Sequence, residues 1–432
     1  MPYVNTQHPL VWGILMGKLT DLGVRIGVSW LMPLVICLVQ HALAMALVSY
    51  TVATIKKLGA SEKILAGVLA FYVILPPMSL YASTVYNDFL YSLAIQLLTV
   101  ELAYYLYDRR GYFSGFRHIL LTALAIFGTI VRYNGLYTML AVLLAVGVRE
   151  LWLLLRSRTR LVQSAVVVLA MLVPLVDGQM LQAALNQKYD AKEITSRAML
   201  AMPIQQSVRC LIEHGDEMPR TEYDAVHAVL TWSDETYAEK YNPRNFDKVK
   251  ESFKIDASKE ELLAFLKAWI KLILRYPETC VMATANQTYY LFSPLVRNVR
   301  YFTSLSAHKD LALSRYGFDA SPYVLTDPVR EAWAEKLQLF HDVVFPELPI
   351  LGLTVNQAVY TILLIGVCVC VLLRRDRRPL LMAVSLLVTL AITFVGPAVY
   401  WHPRYVYPIM FSMPVFIAAF MINEPAKKEE GK

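Results

Sequence analysis

Charge is scarce in this sequence. Only 17% of its 432 residues are Asp, Glu, Lys or Arg, whereas a soluble domain carries about a quarter. That argues against an ordinary soluble protein, because apolar residues fill the gap. The chain is 56% hydrophobic with a mean hydropathy of +0.44. Its apolar residues come in blocks of bilayer-spanning length, not in helical or alternating stripes. Cysteine is sparse too, at five, and the lack of any C-x-x-C pair argues against a zinc ribbon. Cys37, Cys368 and Cys370 lie inside apolar blocks and read as small buried hydrophobes. Cys210 and Cys280 fall in or near the one long polar segment, where pairing depends on a distance that spacing does not give. Alternating strand runs are few, and no internal repeat stands out. The net charge of +7 does not point to nucleic acid, because the Lys and Arg clusters sit between apolar blocks, as in cytoplasmic loops.

What is present reads as an all-α polytopic membrane protein of about nine spans, near 32–55, 63–80, 87–107, 117–131, 135–148, 162–180, 355–373, 380–399 and 404–422. The stretch 117–148 as one helix would run about 50 Å, well beyond a bilayer core. Arg132, Asn134 and Gly135 sit at its middle, so a hairpin of two short helices is the better reading. The basic residues then alternate. Lys56, Lys57 and Lys63 lie in one connection, and Arg109, Arg110 and Arg117 in the next but one. Arg149 to Arg160, Arg374 to Arg378 and Lys427 to Lys432 follow the same rhythm. Placing these in the cytoplasm satisfies the positive-inside rule at every crossing.

Four regions follow. Residues 1–31 form an external tail with a surface helix after Pro9. Residues 32–180 form a first membrane bundle of about six spans, and 181–350 a mainly helical extracytoplasmic domain. Residues 351–432 add about three spans and a cytoplasmic tail. In the extracytoplasmic domain, Glu222 to Leu230 and Ser258 to Tyr276 carry helical periodicity, the latter behind a capping-box pattern, Ser258 to Glu261. Leu272 to Leu291 is apolar enough to lie on or dip into the membrane surface, with Tyr289, Tyr290 and Phe292 suited to an interfacial belt. Met1 to His8 is polar without a basic start, so no signal peptide is visible. With the first span running inward, the simpler account is that an upstream span is missing and that His8-Pro9 ends a first external loop.

Polar groups at span ends on the external face are His8, Asn87, Asp88, Arg132, Asn134, Asp177, His402 and Arg404. A carboxylate can act as base or metal ligand. Arginines can clamp phosphate, and histidine can exchange a proton. The set suits a phosphate-linked substrate at the outer surface. Against this stand simpler roles: Asn87 and Asp88 as helix caps, Arg132 and Arg404 snorkelling to headgroups, and His402 beside Trp401 as an interfacial anchor.

These residues carry a resemblance. A His-Pro pair precedes a surface helix, and Tyr86-Asn-Asp88 opens a span. Arg132-Tyr-Asn-Gly135 stands at an external turn, and His402-Pro-Arg-Tyr-Val-Tyr-Pro408 opens the last span. The order resembles the GT-C class of membrane glycosyltransferases, which use polyprenyl-phosphate sugars. More narrowly, the chain resembles a bacterial GT-C-like family labelled as a domain of unknown function, number 6020. Met202-Pro-Ile-Gln-Gln-Ser-Val-Arg209, Glu213-His-Gly-Asp216 and Tyr241-Asn-Pro243 are similar to that family's pattern.

The resemblance implies a catalytic acid in a first external loop, for which this chain has no counterpart. It implies a second acidic group at Asp88, linked to metal or acceptor, and a basic residue near the lipid phosphate at Arg404. The expected catalytic residues are therefore Asp88 and His8. The expected substrate-binding residues are Arg132, Asn134, His402, Arg404 and Tyr405. A divalent cation, Mg or Mn, would sit at Asp88.

The expected activity is transfer of a sugar from a polyprenyl-phosphate donor in the lipid to a glycan or protein acceptor of the cell envelope, at the outer face of a bacterial cell membrane. Nucleic acid is not an expected partner. Two other classes compete: a transporter or lipid-carrier flippase, and a non-catalytic membrane assembly protein. A transporter predicts mid-span ionisable residues, and here Gln96 and Glu101 are the main exceptions to clean spans.

Overall fold

The computed structural model describes residues 8–28, 30–191, 199–296, 328–396 and 403–422. Their regular structure is all helical, with no strand among them and one isolated bridge between Leu230 and Phe253. They form two compact units. The larger comprises 8–190, 328–390 and 403–422; the smaller comprises 191 and 199–296 with 391–396. The smaller is narrower than the 181–350 stretch that composition delimits, for two reasons. The Leu161–Lys188 helix runs on through 181–188, where Ala, Leu and Gln favour helix. Residues 328–355 belong to the larger unit.

In the larger unit the helices run α1 (Leu10–Arg25), α2 (Leu31–Lys57), α3 (Glu62–Ile74), α4 (Pro76–Leu80), α5 (Asn87–Tyr107), α6 (Arg109–Phe113), α7 (Phe116–Gly128), α8 (Asn134–Leu155) and α9 (Leu161–Lys188). The 117–148 stretch does break into two helices: a single-turn 3-10 segment, Thr129–Val131, ends the first, and Arg132 is extended.

Among the described residues four helices, α2, α5, α8 and α9, are long and apolar enough to cross a membrane. The α3–α4 pair, bent by 56° ahead of Pro76, makes a fifth if counted as one span. Two of these helices differ sharply in surroundings. The apolar window of α5 is 89% buried inside the protein, that of α2 only 22%. An all-round apolar helix needs an apolar partner on every side. Helix α5 finds protein, whereas the outward faces of α2, α8 and α9 present large apolar side chains such as Leu38, Met45, Leu144 and Val162. That pattern fits a membrane protein.

The smaller unit contains α10 (Ala201–His214), α11 (Arg220–His227), α12 (Asp234–Lys240), α13 (Lys259–Arg275) and α14 (Pro277–Thr288). Ile204, Val208, Phe246, Phe265 and Leu272 lie in its core. The Ser258–Glu261 capping box forms at the start of α13, with both reciprocal bonds made. The stretch 272–291 is not a uniform surface face: Leu272, Cys280, Tyr290 and Leu291 are buried in the protein, while Leu274, Val281 and Phe292 are exposed. Tyr290 therefore does not stand in an interfacial belt, because it is buried.

Chain order returns to the larger unit with α15 (Pro328–Leu339), α16 (Gln357–Leu373), α17 (Pro379–Val395, whose last turn falls in the smaller unit) and α18 (Tyr407–Met421). Helix α18 is buried along nearly its whole length and packs most extensively on α5. Phe89 meets Phe411 edge-on at 5.6 Å, and the Tyr72 hydroxyl donates to the Phe411 carbonyl at 2.7 Å. The α5–α18 pair is the core on which the candidate site is mounted.

Candidate functional site

The site gathers at the N-terminal end of α5. Neither Asn87 nor Asp88 caps that helix. The N-cap is Tyr86, and its side chain makes no capping bond. Both polar side chains are committed elsewhere. Asn87 donates from Nδ2 to the Val131 carbonyl at 2.6 Å, which ties the α7–α8 turn to the head of α5. That tether sets Arg132 beside Asp88, and the two form an ion pair through Oδ1. The turn also depends on Gly135. A Cβ there would lie 2.4 Å from the Thr129 carbonyl oxygen, so no larger residue fits without moving the turn.

The second guanidinium comes from far along the chain. Arg404 lies in a short 3-10 turn, Pro403–Tyr405, that leads into α18. Its Nη1 stands 3.8 Å from Oδ2 of Asp88, and its Nη2 donates to the Tyr405 hydroxyl at 3.2 Å. Its Nε is buried and has no hydrogen-bond partner among the described residues.

Tyrosines surround both arginines. The Tyr405 ring lies 5.4 Å from the Arg132 guanidinium and 5.1 Å from that of Arg404. Tyr91 flanks Arg132 at 5.8 Å, and Tyr86 flanks Arg404 at 5.5 Å. At these distances cation–π attraction helps hold the guanidiniums in place.

The segment 81–86 that delivers Tyr86 to the site, a 3-10 turn (Tyr81–Ser83) followed by non-helical residues, is held through its carbonyls. Gln40 Nε2 donates to Ala82 at 3.3 Å and Thr84 at 2.5 Å, and Trp12 Nε1 donates to Val85 at 3.1 Å. Non-helical backbone amid apolar helices requires such partners. Helix α1, which carries Trp12, also brings His8 to the edge of the site, where the His8 carbonyl accepts from the Tyr133 hydroxyl at 3.4 Å. Desolvation holds the His8 imidazole below the usual histidine value. Asp88 pulls it up, while Arg132 and Arg404 press it down.

Of the residues singled out from sequence, His8, Asp88, Arg132, Arg404 and Tyr405 come together. Asn134 opens α8, half-buried, and its side chain makes no hydrogen bond among the described residues; its carbonyl accepts from Thr138. Asp177 is exposed within α9. His402 lies outside the described residues. Asn87 stood among the polar span-end groups and Tyr86 in the motif that opens α5, but Gln40, Trp12 and Tyr91 were not picked out as site residues. Their only sequence signal was polar or aromatic character inside apolar blocks.

The donor set at Asp88 does not suit a divalent cation. Both carboxylate oxygens face guanidinium groups, and among the described residues no group of three His, Cys, Asp or Glu could hold a metal. Arg132 and Arg404 leave the cluster with excess positive charge instead, which suits an anion.

No curated protein and no solved structure matches the chain. A family model does match, over residues 1–432, and by it the chain belongs to a family of unknown function, DUF6020.

Proposed function

We propose that the chain is a membrane glycosyltransferase that moves a sugar from a polyprenyl-phosphate donor to a cell-envelope glycan or protein at the outer face of a bacterial membrane. The observation that carries this reading is the cluster of two guanidiniums on one carboxylate, set at the ends of apolar helices with the Arg404 Nε unused. A lipid-borne phosphate supplies both parts of the match: oxygens for the guanidiniums and a tail for the apolar surroundings.

The reading takes α7, α16, α17 and α18 as short spans beside the longer ones, about nine in all, with the basic loops inward. The connections bearing Asp88, Arg132 and Arg404 then face outward, as does the chain segment of the smaller unit. Arg404 and Arg132 hold the phosphate and stabilise its charge as the sugar–oxygen bond breaks. Asp88, whose oxygens point at both arginines, positions them rather than taking the proton. His8, kept neutral, accepts the acceptor's hydroxyl proton. Tyr405 flanks the phosphate.

The test is transfer from polyprenyl-phosphate sugar by the purified full-length protein and by its Asp88→Asn and Arg404→Ala variants. Both variants are expected to lose transfer; wild-type rates in both would remove the assignment.

A second reading, a lipid-carrier flippase, draws on Glu101, a carboxylate 1% exposed within α5. Its oxygens are already taken by Tyr50 and by His118, the latter at 3.0 Å. Scrambling of a fluorescent lipid carrier in liposomes without any sugar transfer would favour it.

A further inference from the structure

The smaller unit holds two sulfur atoms that the transfer chemistry leaves unused. Cys210 on α10 and Cys280 on α14 lie in its core, 0% and 2% exposed, with their Sγ atoms 3.6 Å apart. Bonds on both sides of the pair set the register of the two helices. Ahead of Cys210, Gln206 donates from Nε2 to the Cys280 carbonyl at 3.1 Å and to Thr284 Oγ1 at 2.8 Å. Its Oε1 accepts from Trp269 Nε1 at 2.7 Å.

Beyond Cys210, Thr279 donates to Glu213 Oε2 at 2.8 Å, and His214 Nε2 meets the Thr279 hydroxyl at 3.0 Å. The His214 ring stacks on Tyr276 at 4.1 Å. Gln206, Glu213 and His214 belong to the two motif segments noted above, and their work here is to dock α10 on α14. The sulfurs are thus held facing one another. A disulfide needs them about 2.05 Å apart, which each reaches by moving less than about 1 Å through a small change in χ1.

We propose that Cys210 and Cys280 form a disulfide in the mature protein and clamp α10 to α14. The proposal rests on the outward placement of the smaller unit, since disulfides form and persist on the oxidising side of a membrane. The oxidant is the disulfide of a thiol–disulfide oxidoreductase. One cysteine, as thiolate, attacks that disulfide to give a mixed disulfide and frees one oxidant thiol. The other cysteine then displaces the second, leaving Cys210–Cys280 oxidised and the oxidant reduced by two electrons to its dithiol, which carries the two protons. Burial of both sulfurs means that the exchange happens while the unit folds, before the core closes.

The experiment uses the full-length protein in its native membrane. Thiols are trapped by acid, the protein is denatured, free thiols are alkylated, and unreduced peptides are weighed. The expected result is one Cys210–Cys280 cross-linked peptide, two hydrogens lighter than the sum of its parts and cleaved by reductant. Cys37, Cys368 and Cys370 should be alkylated. Cys280→Ser should leave Cys210 alkylated.

In parallel, Lys267→Cys, at an exposed position of α13, is labelled on intact cells with a membrane-impermeant maleimide. Alkylated Cys210 and Cys280 alongside a labelled Lys267→Cys would overturn the disulfide and leave the orientation standing. Alkylated cysteines with no label would overturn both.

Discussion

The two ends of α5 carry the same kinds of group and use them differently. Around Tyr104 to Arg109 the larger unit collects its basic loops. Arg109 reaches Glu150 with two bonds of 2.7 Å, Ser164 adds a third at 2.7 Å, and Tyr105 donates as well. Nearby, Lys57 meets Tyr104, and Arg378 lies 4.4 Å over the Tyr107 ring. About 30 Å away along the helix, Asp88 pairs with Arg132 and faces Arg404 at 3.8 Å, beyond hydrogen-bond reach. The Glu150 end is saturated: every strong acceptor position is taken, and the cluster staples α6, α8 and α9 to α5. The Asp88 end has donor capacity left over, in Arg404 above all. Spare capacity, more than the presence of charge, separates a binding site from a staple.

The contrast is tested most severely at the staple. Removing one partner of a buried ion pair strands the other, at a cost of about 3–5 kcal/mol. Glu150→Ala should therefore lose most of its folded, monodisperse protein in detergent, read by gel filtration and thermal unfolding, while Asp88→Asn, which keeps a side-chain oxygen of the same shape beside Arg132, should lose much less. Equal stability of the two variants would erase the distinction. Next is Arg404→Ala, for which loss of a preorganised donor should lower transfer by about 100- to 1,000-fold with no change in Tm. Intact transfer would mean that the spare Nε serves no ligand.

Smaller again is Gly135→Ala, whose Cβ meets the Thr129 carbonyl at 2.4 Å. The displaced turn should cost about 1–3 kcal/mol and weaken the Arg132–Asp88 pair. Gly147→Ala, in the same helix with nothing within 4 Å, should be neutral or slightly stabilising. Scanning calorimetry of the two variants separates local crowding from helix propensity.

The smallest effect is on pH. With its value below the ordinary one, His8 stays neutral through the physiological range and gains a proton only in more acid solution. Transfer should hold level near neutrality and fall as pH drops below the usual histidine range. His8→Ala should be slower and lack that acid limb. An unchanged acid limb in His8→Ala would assign the proton to another group.

Much of the helix framework could be read from the chain. Blocks of apolar residues end where Lys and Arg cluster, and helices such as Leu31–Lys57 and Asn87–Tyr107 fall where those blocks predict. The break at Arg132 followed from the length of the stretch and from Arg132, Asn134 and Gly135 at its middle. The site was legible only as a set of polar residues at block ends. Local sequence left capping open as a role for Asn87, whereas its amide bonds 44 positions away at Val131. Asp177, grouped with the others by position along its block, faces outward, because helical phase decides which side a residue takes.

Composition and charge order by themselves determined that this chain is built of apolar helices, about where along the chain they lie, and which connections are basic. Those properties depend on short-range transfer energies and backbone hydrogen bonding, which each segment carries with it. Tertiary structure alone decided that α5 is the buried axis, that Arg132 and Arg404 meet on Asp88, and that Cys210 faces Cys280. Those pairings depend on which faces of distant helices fill one another's grooves, and no local stretch of sequence contains that choice.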